Sequence, residues 1–320
     1  MDRNASGYHK IALAALFTVG TALIRYPWRT GDRGVLPVFL LSVVGALIPA
    51  LLLYPIFRWI WRRPLCCRFG RLLFVAALSI LFGAYALYCA WRSCADYLRF
   101  SMDLILPGGS RWLLLILFVS CAVWLSALRD RGMDCFSLIA FFSVIACAVF
   151  LFLVGLPTFE WEHVSVNFRE WEWGSFGSLL MLWRESLFPL SVLALYFSLV
   201  EPKGGMRSLA VGTAIGCAVL FLCVAQAILT FGATYAAGLE YPYSYSVRIL
   251  SIGQYFFRLE GFSYLLDYLT CLMRAAVSLA VARRLLGRFY PRLTRRFPWV
   301  VGVGLILILW IGSSTKLYFA

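Results

Sequence analysis

The sequence predicts an all-α polytopic membrane protein built from two inverted repeats, and three observations carry that reading. Of its 320 residues, 62% are hydrophobic, and the mean hydropathy is +0.84. The apolar residues fall in runs long enough to cross a bilayer, with neither amphipathic stripes nor the strict alternation of a membrane β-barrel. Two of these runs, the first and the sixth, are interrupted at corresponding places, which is the mark of two halves with inverted topology.

About nine spans are expected: Tyr8–Trp28, Val35–Ile60, Leu72–Cys94, Trp112–Leu128, Met133–Leu156, Ser178–Val200, Leu209–Phe231, Gly261–Ala282 and Trp299–Tyr318. They form one permease-like domain over residues 1–320, with repeat one at about 8–156 and repeat two at about 178–318. The basic, then apolar start has the look of a signal peptide. It has no small-residue cleavage site and another span follows at once, so it is read as the first helix.

The net charge of +14 does not point to nucleic acid, because the arginines cluster in particular connections between spans. Arg58, Arg62, Arg63, Arg68 and Arg71 follow span two, Arg129 and Arg131 follow span four, and Lys203 and Arg207 follow span six. Arg283, Arg284, Arg288, Arg292, Arg295 and Arg296 follow span eight. These loops share one side, with Arg3 and Lys10, and the positive-inside rule makes that side cytoplasmic. The N-terminus is then inside and the C-terminus outside. The acidic, tryptophan-rich stretch Pro157–Phe176 suits the outer interface. Arg25, Arg29 and Arg33 run against the rule and would snorkel or meet an anionic headgroup or partner.

Span one carries Gly20 near its middle and Pro27 at its outer end. A lone glycine there is ordinary close packing, but its pairing with span six gives it weight. A half-helix beginning after Gly20 would offer free backbone donors to a carboxylate. In span six, Arg184 and Glu185 stand within the apolar run and Pro189 follows within about one turn. An intramembrane charge costs about 2.5–3.5 kcal/mol on insertion scales and faces a partner or a wet cavity. Pro189 removes a backbone donor and crowds the Glu185 carbonyl. The pair is either part of a ligand site or a neutralised bridge beside a proline kink.

Span three ends with Arg92 and Asp96 at the spacing of an i, i+4 pair, and Tyr88 is the better cavity-wall residue. Span eight holds Asp267 and Arg274, nearly on one face and about 10 Å apart along the axis. They are too far apart to pair, so each needs a partner on another helix or water. Gly232–Arg258 is too long for a turn and suits an interfacial or re-entrant helix, which would either cap a vestibule or simply lie on the surface.

Chemistry other than binding has little support. Ten cysteines are present, and Cys89, Cys121, Cys147, Cys217, Cys223 and Cys271 lie inside apolar runs as packing residues. Cys66 and Cys67 lie in a basic loop, where lipidation is one reading and plain tolerance the other. The two histidines, His9 and His163, and the lack of a CxxC pair give no zinc site. No nucleophile–base spacing marks an enzyme, and no cofactor is expected.

The chain resembles the spore germination permease family, the B-type subunits of nutrient germinant receptors, within the amino acid–polyamine–organocation transporter superfamily. The likeness follows the span order through nearly the whole chain. Gly20 in VGTALIRYPW looks like the first glycine of the family's span-one break, and LPGGS (Leu106–Ser110) like its turn before span four. Glu185 in RESLFPLSVLALYFSLVEPKGGMR sits where the family has a glycine–glutamate pair, and YPYSYSVRILSIGQYFFRLEGFSYLLDY is similar to its Tyr-Pro…Arg-Leu-Asp segment. Arg274 falls where a lysine is common. Ala22 replaces the family's second span-one glycine, and Arg184 the glycine before the glutamate, adding bulk and charge to the site. Members usually have ten spans; the expected missing one is peripheral and leaves spans one, three, six and eight as the core.

The resemblance implies a receptor in the inner spore membrane, assembled with a larger membrane subunit and a lipoprotein subunit. Its ligand would be a small nutrient, by the family's analogy an amino acid, whose differential affinity for one conformation is the signal. The residues expected to bind it are Gly20, Thr21, Ala22, Tyr88, Glu185, Ser186, Pro189 and Asp267. The backbone at Gly20 and Thr21 would take its carboxylate, and Glu185 its ammonium or a coupling cation. A proton- or sodium-coupled secondary transporter and a degenerate scaffold are the rival readings.

Overall fold

In the computed structural model of the chain, the described residues are 3–20, 22–25, 51–60, 69–128, 130–169, 188–200, 205–250, 259–287 and 297–314. Among them the regular structure is helical, without strands. The first span forms α1 (Arg3–Val19), a turn at Gly20, and the short α2 (Ala22–Arg25). The rest run α3 (Leu51–Ile60), α4 (Phe69–Phe100), α5 (Arg111–Ala127), α6 (Asp130–Gly155), α7 (Glu162–Arg169) and α8 (Phe188–Val200). They continue through α9 (Gly205–Phe231), α10 (Ala233–Gly238), α11 (Pro242–Ile249), α12 (Glu260–Gly287) and α13 (Phe297–Ser314).

Among the described residues four helices are long and apolar enough to cross a membrane, and they correspond to expected spans three, five, seven and eight. Span three is longer than its hydropathy indicates. α4 continues past Cys94 to Phe100 and closes in a π-helical turn, Ser101–Ile105, in which Leu106 N–H donates to the Ser101 carbonyl at 2.9 Å. Gly108, at φ +86°, then turns the chain into α5.

Burial sorts the helices into two kinds. From Ala12 to Gly20 every side of α1 is buried, as is almost all of α8 from Pro189 to Ser198 and of α12 from Thr270 to Ala282. A helix apolar and covered on all sides is a central one. By contrast α6 leaves Ile139, Phe142 and Leu153 exposed, and α13 leaves Val300 and Val303 exposed. Those apolar faces belong against lipid. α12 packs on α4, α5, α6, α1 and α8, while α1 lies between α9, α6 and α12.

Two glycines of α9 allow its close approach to α1. A Cβ at Gly216 would stand 2.6 Å from the Ala15 carbonyl oxygen and 2.8 Å from Thr18 Cβ. One at Gly212 would stand 2.5 Å from the Ile11 carbonyl oxygen. Small residues that let helix backbones meet are the main way helices associate in lipid, where apolar burial gives no net drive. Gly216→Leu is therefore expected to cost about 1–3 kcal/mol through overpacking. Gly304→Ala, where a Cβ meets nothing within 4 Å, is expected to be neutral or better. Thermal unfolding of the two purified variants in one detergent reads the difference.

Candidate functional site

The break in the first span is the centre of the site. α1 stops at Val19 although apolar residues continue, because Gly20 takes a φ of +24° that an L side chain rarely adopts. Gly20 N–H still donates to the Leu16 carbonyl at 3.0 Å, closing the last turn. Beyond it the chain resumes as α2, against α9 and α4.

Arg274 comes to this break from α12. A Cβ at Gly20 would lie 2.5 Å from Arg274 Cδ, 3.2 Å from its Nη1 and 2.9 Å from the Phe17 carbonyl oxygen. The guanidinium carbon stands 5.6 Å from the Phe17 ring centroid, within cation–π range. Arg274 is 4% exposed. Around it, within electrostatic range, are Tyr85, Cys89 and Asp96 of α4 and Cys271 of its own helix. The glycine is thus required twice, by its backbone angle and by the arginine packed over it.

Asp267, two turns earlier on α12, has different surroundings. It is 1% exposed, and its Oδ1 has no hydrogen-bond partner among the described residues. The polar groups near it are Tyr97 of α4, Cys223 of α9, Tyr243 of α11 and Cys271. The expected lack of direct pairing between Asp267 and Arg274 agrees with these separate surroundings. An orphaned carboxyl oxygen in an apolar interior costs about 1–3 kcal/mol. Asp267→Leu is accordingly expected to stabilise the fold by about that amount in detergent unfolding, and to abolish any ligand or proton response that uses the carboxyl.

Over Asp267 lies a layer of rings. Tyr97 stacks on Phe118 at 4.5 Å and meets Tyr268 edge-on at 5.5 Å; Phe100 meets Tyr241 at 5.3 Å and Tyr264 at 5.8 Å. Beyond the rings, α11 is tied to the end of α4. Arg99 Nη2 donates to Glu240 Oε1 at 2.7 Å, and Tyr241 donates to Asp103 Oδ2 at 2.8 Å. Arg248 Nη2 donates to the Leu104 carbonyl and the Tyr264 hydroxyl, each at 3.0 Å. Burial first, then the bond to Asp103, push the Tyr241 phenol above its ordinary value, which keeps it a donor. The described part of Gly232–Arg258, through Leu250, forms the short helices α10 and α11, with α11 fastened to the end of α4.

The other expected site residues are less gathered. Pro189 is buried in the first turn of α8. Ala22 opens α2. Tyr88 is 45% exposed and accepts a hydrogen bond from Arg92 Nη1 at 2.9 Å, while Tyr85, a turn earlier, is the α4 tyrosine within range of Arg274. Asp96 of the expected Arg92–Asp96 pair is buried. Thr21, Arg184, Glu185 and Ser186 lie outside the described residues. Sequence reasoning missed the Arg99–Glu240 and Tyr241–Asp103 ties, although it singled out the Tyr-Pro segment that contains Tyr241.

Thirteen chains of solved structures match this one. One is MhsT in complex with L-phenylalanine, with a TM-score of 0.62 over 96% of this chain and 79% of that one, at 18% identity. The chain has the MhsT fold. That fold is the polytopic helical membrane fold expected from the sequence. No protein-family model matches the chain, and no curated protein matches its sequence. The likeness to spore germination permeases therefore rests on the motifs quoted above.

The latch at the α11 end gives a second test. Arg99 and Glu240 are about two-fifths exposed, so their pair is worth about 0.2–1 kcal/mol. With Cys271 as the sole cysteine, Glu240→Gln is expected to raise its labelling by a small aqueous maleimide up to about fivefold. An unchanged rate would show that the latch does not gate this route.

Proposed function

We propose that this chain binds a small nutrient, an amino acid, at the breaks of its first and sixth spans, as the membrane subunit of a spore germinant receptor. The observation that carries the binding reading is the Gly20 break, buried among central helices of a fold that in MhsT is found with L-phenylalanine. The backbone at Gly20 and Thr21 receives the carboxylate and Glu185 the ammonium. Ala22, Ser186 and Pro189 shape the space between them, and Tyr88 and Asp267 stand further along its walls. The motifs shared with germination permeases support the receptor role, the inner spore membrane, and the larger membrane and lipoprotein subunits as partners.

Binding becomes a signal when the ligand prefers one conformation, and the α4–α11 latch is a contact such a preference can break or keep. A second reading is an amino acid transporter driven by an ion gradient, favoured by the orphaned Asp267 carboxyl.

Thermal unfolding of the purified chain against the standard L-amino acids tests the binding site. One of them is expected to raise the midpoint, by a stabilisation of about 2.7 kcal/mol at a hundredfold excess over Kd. Glu185→Gln is expected to lose that shift at normal protein level, whereas Gly20→Ala is expected to lower the ligand-free midpoint as well, because its Cβ would clash with Arg274 and the Phe17 carbonyl. A Glu185→Gln variant that responds like wild type removes Glu185 from the site. Spores lacking the chain are expected to lose germination on that amino acid alone. Uptake by proteoliposomes that collapses with the proton or sodium gradient would instead assign transport.

A further inference from the structure

The end of α1 inside the bundle is an electrostatic feature in its own right. When a helix stops, its last carbonyls lose their amide partners and carry the negative end of the helix dipole. α1 is a helix of 17 residues, Arg3–Val19, that stops at Gly20 amid fully buried residues. In broken-helix transporters, half-helix C-terminal ends and unwound carbonyls are where a coupling cation is held. Here a side chain is already present: the Arg274 alkyl stem crosses Gly20, and Nη1 comes within 3.2 Å of where a Cβ would stand. Its guanidinium faces the Phe17 ring of the last α1 turn. Arginine keeps its charge in proteins and is less strongly hydrated than an ammonium, so it suits this buried place.

We propose that Arg274 is a built-in cation that holds the C-terminal end of α1 in place of a dissociable sodium ion, so that the Gly20 break works without sodium. The cation is covalently fixed to α12, so it couples the first span to the eighth instead of leaving with an ion gradient. A sodium ion at the same carbonyls would meet the guanidinium at close range, with little water to screen the repulsion. The inference concerns the ion site and holds whatever nutrient the chain recognises.

Direct binding of radioactive sodium to the purified full-length protein, with thermal unfolding in sodium chloride and choline chloride of equal ionic strength, tests it. Wild type is expected to bind no displaceable sodium and to unfold at the same midpoint in both salts. Arg274→Gln, which keeps bulk and removes charge, is expected to gain sodium binding and a midpoint that rises with sodium but not with choline. Arg274→Lys, which keeps a charge, is expected to fold and to stay indifferent to sodium. Stoichiometric sodium binding by wild type, or a folded Arg274→Gln that ignores sodium, would overturn the proposal. If Arg274→Gln does not fold, wild type and Arg274→Lys decide it, sodium binding by either being fatal. These readouts use no amino acid, so they remain informative even if the nutrient-binding reading fails.

Discussion

A helix cannot stop inside a bilayer unless something answers its last carbonyls, because the hydrocarbon has no water to do so. That constraint falls on Gly20. The break is tolerable because α9 and α12 press against α1 and cover it completely, and because a guanidinium reaches its end. The all-round burial of α1 from Ala12 and of α12 from Thr270 to Ala282 follows from the same demand. So does the α9 face of Gly212 and Gly216, which brings a third helix to backbone contact with α1 just before the break.

The α11 end of the bundle obeys a different rule. Near the membrane boundary, charges can be half exposed, and the chain uses them to fasten α11 over the ring layer between α4 and α12. Each tie is weak in water. Together they hold a short helix whose own length could not keep it folded. Strong packing at the centre and replaceable contacts at the rim are what a protein needs if its ligand must enter and leave from one side.

Much of this was legible in the sequence, and the limits have physical causes. Hydropathy found spans three, five, seven and eight because a bilayer imposes a length, and Gly20 stood out because an interruption in an apolar run is a local signal. The extension of α4 to Phe100 was not legible, since Arg92, Asp96 and Arg99 lower the hydropathy of a stretch whose helix is held by tertiary contacts. The reach of Arg274 into the break could not be read either. It depends on α12 lying beside α1, a neighbour more than 250 positions away in sequence. Tyr88 was singled out and Tyr85 passed over, for want of the helix phase that turns one outward and brings the other within range of Arg274. Glu185, the sequence's best candidate, lies outside the described residues, so its partnership with Gly20 still rests on the inverted-repeat pattern.

Asp267 and Arg274 show why position within the bundle decides what a buried charge can do. Both lie on α12, both are almost wholly buried, and seven residues separate them. Arg274 meets the negative end of a broken helix, an aromatic face and several polar neighbours, so its charge is answered by the fold itself. Asp267 has an oxygen without a hydrogen bond among the described residues, and its near neighbours are phenols and thiols. One helix thus carries a charge answered at the break and, two turns away, a carboxyl with an orphaned oxygen, and both sit on the same rigid element that braces Gly20.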